Sequence, residues 1–345
     1  MCIESPDKST INNPAINNDS QINDQKSTII VIRIALLVLV LVVATVAADE
    51  STRTVALTFD DLPAADSLPR ASEASRGGRE PSAVAATNLA ILQALDRHRA
   101  PATGFVIGER VEMLPNGREL LQQWIERGHD LGNHTFSHGD VNTQSVQTFT
   151  NEVARTEAII RPLLPSPRTL PLYLRFPFNH TGDSADKHDA IAAWLGQRGY
   201  EVAVCTIDNS DDIFASAYSR TIASGGAEAA ILRTEYLAHT AKIIDYYTGL
   251  HRMVFGRETT HVMLLHANRL NADVLDRLLE LFEERQFRFV SLRDAQADPA
   301  FKTADTWRTK AGPMWGYRWA RSLGVRVNGA LEPEPAGWVE SAGRR

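Results

Sequence analysis

Apolar and polar positions divide the chain into strand-like and helix-like stretches that follow one another in regular succession. Residues 55–59 (Val-Ala-Leu-Thr-Phe) favour a strand and run into Asp60, Asp61 and, after Leu62, Pro63. The proline predicts that the strand ends at the two acids. Residues 83–97 carry Val84, Leu89, Ile91, Leu92 and Leu95 at helical spacing. A strand is predicted over 102–108, a helix over 117–127, and a very short strand at 130–131 before Gly132-Asn133-His134. A helix over 146–160 is ended by Pro162, Pro165 and Pro167. The second half keeps the rhythm, with strands over 172–176, 202–207, 261–265 and 287–292 and helices over 187–198, 227–247 and 273–285. Seven strands mostly separated by helices call for a parallel sheet in an α/β fold, here closed as a barrel.

Both ends depart from that pattern. Residues 1–28 are polar and predict a disordered n-region. Residues 29–48 are almost wholly apolar, interrupted by Arg33, and the thirteen residues 34–46 carry no charge, which is the length of a signal peptide's apolar core. Small residues Val46-Ala47-Ala48 would permit cleavage before Asp49. Uncleaved, about 20 apolar residues suffice as a membrane anchor. Either alternative predicts an exported protein, periplasmic, secreted or anchored with its bulk outside the cytoplasm, because the positive flank stays inside. The barrel then occupies 49–296, with an exposed loop over 66–82. A C-terminal extension, 297–345, carries Trp307, Trp315, Tyr317, Trp319 and Trp338. These aromatics either staple the extension to the barrel or stack on sugar rings.

Composition narrows the function. The 345 residues have a formal net charge of −6 and no basic block, which argues against nucleic acid as a partner. Of two cysteines, Cys2 lies in the leader, so Cys205 is expected to be a small core residue without a disulfide partner.

The polar residues at the predicted strand ends carry the chemistry. Asp60 and Asp61 end the first strand, where α/β folds keep their reacting groups. His134 and His138, four apart, share one face of a helical turn and offer neutral imidazoles to a metal. With one carboxylate they make a two-histidine, one-aspartate site that leaves positions open for water and substrate. Arg175 ends the fourth strand, where a bidentate carboxylate pair is expected. Asp208-Asn-Ser-Asp211 follows the fifth strand, and His266 ends the sixth.

Taken together, Thr58-Phe-Asp60-Asp61, His134-x-x-x-His138, Arg175-x-Pro177-Phe178, Asp208-x-x-Asp211 and Leu264-x-His266 resemble the polysaccharide deacetylases (carbohydrate esterase family 4, the NodB homology domain) from about residue 55 to 292. The resemblance implies a distorted (β/α) barrel of seven strands and a metal-dependent hydrolase that removes N- or O-acetyl groups from a glycan. It implies that Asp61, His134 and His138 hold a divalent ion, usually zinc, and that Asp60 is the general base, oriented by Arg175. His266 would be the general acid, tuned by Asp208, and the backbone N–H of Phe178 would help hold the oxyanion. Three departures bear on specificity, the first being the long loop around 66–82 that separates the first two motifs. Where the family places a tryptophan after the second aspartate this chain has Asp212, leaving Phe214 to line an acetyl pocket, and the stretch between Asp208 and His266 is expanded. Hydrolysis of another linear amide or a sugar lipid, or a carbohydrate-binding barrel without turnover, are the alternatives.

Overall fold

The strand that ends in the two acids is the centre of the sheet. In the computed structural model, which describes residues 53–65, 81–165 and 171–344, β1 (Arg53–Leu62) is buried from Val55 onward. The predicted n-region, the apolar segment 29–48, most of the loop 66–82 and Pro167 lie outside the described residues. Around β1 stand β2 (Ala102–Val106), β3 (Asp130–Asn133), β4 (Leu172–Leu174), β5 (Tyr200–Val202), β6 (Ile207–Asp208), β7 (His261–His266) and β8 (Phe287–Val290). All pairings are parallel, in the order β5-β4-β3-β2-β1-β7-β6, with β8 paired to the first half of β1.

The predicted fifth strand is interrupted. Its first part, β5, pairs with β4, and its second part, β6, pairs with β7. One run of chain therefore joins the two sides of the curled sheet and makes the barrel distorted. Ala203 N–H donates to Leu174 O at 2.8 Å and Thr206 N–H to Val262 O at 2.9 Å, so the crossing is itself hydrogen-bonded.

Helices cover the outside. They are α1 (Pro81–His98), α2 (Gly108–Met113), α3 (Gly117–Glu126), α4 (Val146–Ile160), α5 (Ala185–Gln197), α6 (Asp211–Ala223), α7 (Ala229–Phe255), α8 (Arg269–Glu283), α9 (Leu292–Gln296), α10 (Trp315–Ser322) and α11 (Gly337–Arg344). In α8, Leu270, Val274, Leu275, Leu278, Leu279 and Phe282 form one buried stripe. Burying such a side chain contributes roughly 1.5–3 kcal/mol. Asn268 caps this helix by accepting from Asn271 N–H at 2.8 Å.

Two helices differ from the sequence expectation. The long helix begins at Ala229 and continues to Phe255, beyond the predicted 247. Ahead of it, α6 occupies a stretch for which no element was predicted. Its Phe214, Ala217, Tyr218 and Thr221 recur at helical spacing and are buried.

In the C-terminal extension, Trp315 and Trp319 are buried, and Trp315 N–H donates to Cys205 O at 3.5 Å. Trp319 packs edge-on against His251, Phe255 and Phe301. These aromatics staple the extension. Cys205 is fully buried, and burial pushes its thiol up to about 12, so it is no nucleophile at neutral pH.

Four histidines away from the barrel mouth are buried as neutral rings. Burial holds His251 down to about 3 and His129 and His239 down to about 4, and it also pushes His261 well below the ordinary 6.5. An unfolded chain therefore takes up protons below pH 6.5 that the folded chain refuses. Stability should be full above pH 7 and should fall progressively between about pH 6.5 and 4. Urea midpoints measured across that range, with chelator present throughout, test this. A midpoint constant from pH 7 to pH 5 would contradict the neutral burial of these rings.

Candidate active site

Neighbouring strand residues point to opposite faces, yet Asp60 and Asp61 serve one site. The register explains how. Phe59 pairs with Gly104 and Leu62 with Val106, so β1 spends one residue more than β2 over this interval. Asp61 absorbs the bulge in a left-handed conformation with φ 71°. Gly104 admits the bulge because a Cβ there would lie 2.4 Å from Leu62 Cδ2. Both carboxylates consequently line a cavity of about 790 Å³ together with His134, His138, Phe178 and His266.

The histidine pair is not on a helix. Residues 134–140 form an irregular turn in which Thr135 and His138 take φ 65° and 58°. Side chains hold the turn from beneath. Buried Asn133 accepts from Thr135 N–H at 2.9 Å and donates to Val153 O at 2.8 Å, and Glu152 accepts from Ser137 N–H at 2.6 Å.

The Nδ1 of His134 lies 2.8 Å from Arg175 O. A carbonyl can only accept, so Nδ1 carries the proton and Nε2 presents a lone pair. Both His134 Nε2 and His138 Nε2 stand 3.5 Å from Asp61 Oδ1. That oxygen is buried and has no hydrogen-bond partner, while Arg110 occupies Oδ2 at 3.0 Å. Burial opposes the Asp61 charge, but Arg110 and then the nearby histidines outweigh it and hold the carboxyl at about 2. Burial is the main influence that holds His138 down to about 4. Three acceptor atoms thus face one another within 4.8 Å, an arrangement that a cation resolves. The donor set of one carboxylate and two imidazoles fits a divalent ion.

Asp60 sits beside this cluster, with His134 Nε2 3.8 Å from its Oδ2. The expected two-pronged fork from Arg175 does not form. One nitrogen, Nη1, lies 3.4 Å from both oxygens of Asp60, while Nη2 donates to Thr58 Oγ1 at 3.2 Å and Nε to Ala203 O at 2.8 Å. Arg175 is fully buried, with Phe105 beneath its guanidinium at 4.7 Å. Its charge therefore serves Asp60 while the rest of its fork fixes it to the barrel wall.

His266 is paired in register with Asp60 on the adjacent strand. Its Nδ1 donates to Asp211 Oδ1 at 2.6 Å, and its backbone N–H donates to Asp211 Oδ2 at 2.8 Å. Asn268 and Asn271 also donate to Oδ2, at 2.9 and 2.5 Å. Burial opposes a charged His266, but Asp211, followed by Asp61 and Asp60, outweighs it and holds the imidazole well above 6.5. The charged form of the ring is thereby favoured.

Two further expectations need correction. Asp211, not Asp208, is the carboxylate bonded to His266. Asp208 lines the cavity, accepts from Ser210 N–H at 2.9 Å, and burial pushes it up to about 6. Left-handed Ser210 (φ 55°) turns the chain between the two acids, so that only Asp211 reaches beneath His266. Phe214 forms no cavity wall: it is fully buried against Tyr236 and His239. The opposite face of α6 faces the cavity instead, through Asp212, Ala215, Ser216, Ser219 and Arg220. Among the described residues no tryptophan of the extension lines the cavity, in keeping with stapling, whereas Gly312 does.

Phe178, expected at the oxyanion position, lines the cavity and is half exposed, its ring edge-on to His138 at 4.7 Å. His180 bonds to Asp140 at 2.9 Å and does not reach the cavity. Asn268, Asn271 and Arg110 were missed, because only contacts distant in sequence give them their roles.

A family model described as Polysaccharide deacetylase matches residues 47–200. Residues 47–200 are thus similar to the polysaccharide deacetylase domain. Among curated relatives, it is 26% identical over 157 residues to a peptidoglycan-N-acetylglucosamine deacetylase of Bacillus cereus, covering 46% of each chain. It is 32% identical over 127 residues to a chitooligosaccharide deacetylase of a Bradyrhizobium species, covering 37% of this chain and 47% of that one. The chain thus spans under half the length of these two relatives. A polysaccharide deacetylase structure from Bacillus cereus superposes with a TM-score of 0.46 at 18% identity, over 69% of this chain and 91% of that one. The family match stops at residue 200, so β7, His266, α6 and the extension lie beyond it.

Proposed function

We propose that this chain is a metal-dependent deacetylase of an N- or O-acetylated glycan, acting outside the cytoplasm. The observation that carries the reading is the pairing of Asp60 with His266 across adjacent strands, beside three ligand atoms within 4.8 Å of one another. Asp61, His134 and His138 would hold the ion, and zinc suits a set of two imidazoles and one carboxylate. Bound there, it supplies Lewis acidity at the acyl carbonyl and brings a water's pKa toward neutrality.

The chain's own residues divide the proton transfers. Asp60, held by Arg175 and acceptor-only when ionised, takes a proton from the attacking water. His266 delivers one from Nε2 to the leaving nitrogen or oxygen, since Nδ1 is engaged by Asp211. An amide needs this acid because an unprotonated amine leaves poorly. The backbone N–H of Phe178, on the opposite wall, is assigned to the developing oxyanion. The apolar segment 29–48 supports export, and the relatives' glycan substrates support the substrate class.

The test is acetate release by the full chain from peptidoglycan, chitooligosaccharide and xylan acetates. Release should stop with chelator and return with zinc. Turnover that persists at full rate after removal of all bound metal would refute the reading.

A further inference from the structure

The wall opposite α6 is built on two consecutive residues in a conformation that side chains rarely adopt. Phe178 has φ 60° and Asn179 φ 55°, and both line the cavity. A left-handed pair without glycine persists only where its surroundings over-determine it. Here much of that constraint comes from the C-terminal extension. Arg318 is fully buried, and its Nη2 donates to Asn179 O at 3.1 Å. Its Nη1 meets Asp305 at 2.8 Å and Thr181 Oγ1 at 3.3 Å, and its Nε donates to Pro313 O at 2.9 Å. The guanidinium lies 4.8 Å over the Trp315 ring. One side chain thus ties the two ends of the 179–181 segment to three points of the extension. Gly312 closes against the same turn, where an added Cβ would stand 1.9 Å from Phe178 O. From the barrel side, Cys205 Sγ donates to Asn179 Oδ1 at 3.2 Å.

We propose that the extension is part of the deacetylase site: Arg318 and Gly312 are positioning residues that hold the Phe178–Asn179 turn against the metal cluster. The turn carries the Phe178 ring, packed edge-on to His138, and the Phe178 amide assigned to the oxyanion. Released from the extension, the turn relaxes and the acyl end of the cavity loses its shape, while the ligands and the acid–base pair stay in place. This inference rests on the deacetylase reading for its kinetic consequence but not for its structural one.

The two are separated by measuring both. Hydrogen exchange of the full chain, followed by mass spectrometry, should show at least tenfold faster exchange over residues 176–181 in Arg318→Ala and in Gly312→Ala. Peptides from β1 and β7 should keep wild-type protection. In the zinc-loaded protein both variants should lose kcat about tenfold or more, with KM and zinc affinity unchanged within about twofold. Arg318→Lys, which keeps the charge but loses the fork, should fall between them and wild type. Unchanged protection over 176–181, or protection lost equally throughout the barrel, would overturn the proposal. So would altered protection with wild-type kcat. If the wild type hydrolyses no acetylated glycan, the deacetylase reading fails, and the exchange result alone still decides whether the extension holds the turn.

Discussion

His134→Ala should leave the chain folded but empty of its divalent ion and without measurable deacetylation. His134 supplies one of three converging acceptors, and its tautomer is set by Arg175 O. Altering an outer partner of a metal ligand typically costs about 10–100-fold in affinity, and removing the ligand itself should exceed that. Metal content after dialysis, measured by emission spectrometry, checks the first part, and acetate release checks the second. Asp60→Asn is the contrasting variant, retaining the ion while turnover falls about 10²–10⁴-fold. A His134→Ala protein that kept stoichiometric metal at wild-type affinity would remove this histidine from the ligand set.

Asp211→Asn should lower turnover by a similar factor of about 10²–10⁴, through His266. The carboxylate receives Nδ1–H, a backbone N–H and two asparagine amides, and it is the main influence that keeps His266 charged against burial. A general acid works only while protonated, so activity should decline as pH rises through the raised value of His266. Without Asp211 that value drops, and the alkaline limb of the kcat/KM profile should move to lower pH. In Asp208→Asn the limb should stay where it is. A limb that moved in Asp208→Asn but not in Asp211→Asn would restore the sequence expectation.

What could be read from the sequence was whatever is written locally. Alternation over residues 55–59 and the acids after it located β1 and its reacting end, because strand period and proline placement are nearest-neighbour effects. Arg175 and His266 stood out as polar residues ending apolar runs, and the histidines by their spacing of four, although the turn that carries them is not helical. The choice between Asp208 and Asp211 was not local. It depends on left-handed Ser210 and on two asparagines of α8 that complete the carboxylate's hydrogen bonds. Phe214 was misplaced because α6 was not recognised, although the spacing of Phe214, Ala217, Tyr218 and Thr221 marks a helix face turned inward. The extension's part in the site was illegible. Nothing near Gly312 or Arg318 in the chain announces that both meet residues 178–181.

The rung that joins Asp60 to His266 has an evolutionary meaning. These two residues sit on adjacent parallel strands at matched positions, and Ala267 N–H donates to Asp60 O at 3.1 Å just beyond them. Their spacing is thus a property of the backbone ladder, untouched by whatever the chain does between one strand and the next. With Asp211 kept beneath His266 at the start of α6, the rest of α6 and all of α7 can lengthen, shrink or change composition and remake the rim without moving either group. On the proposed reading, such a design would let substrate preference drift while the reaction stayed intact.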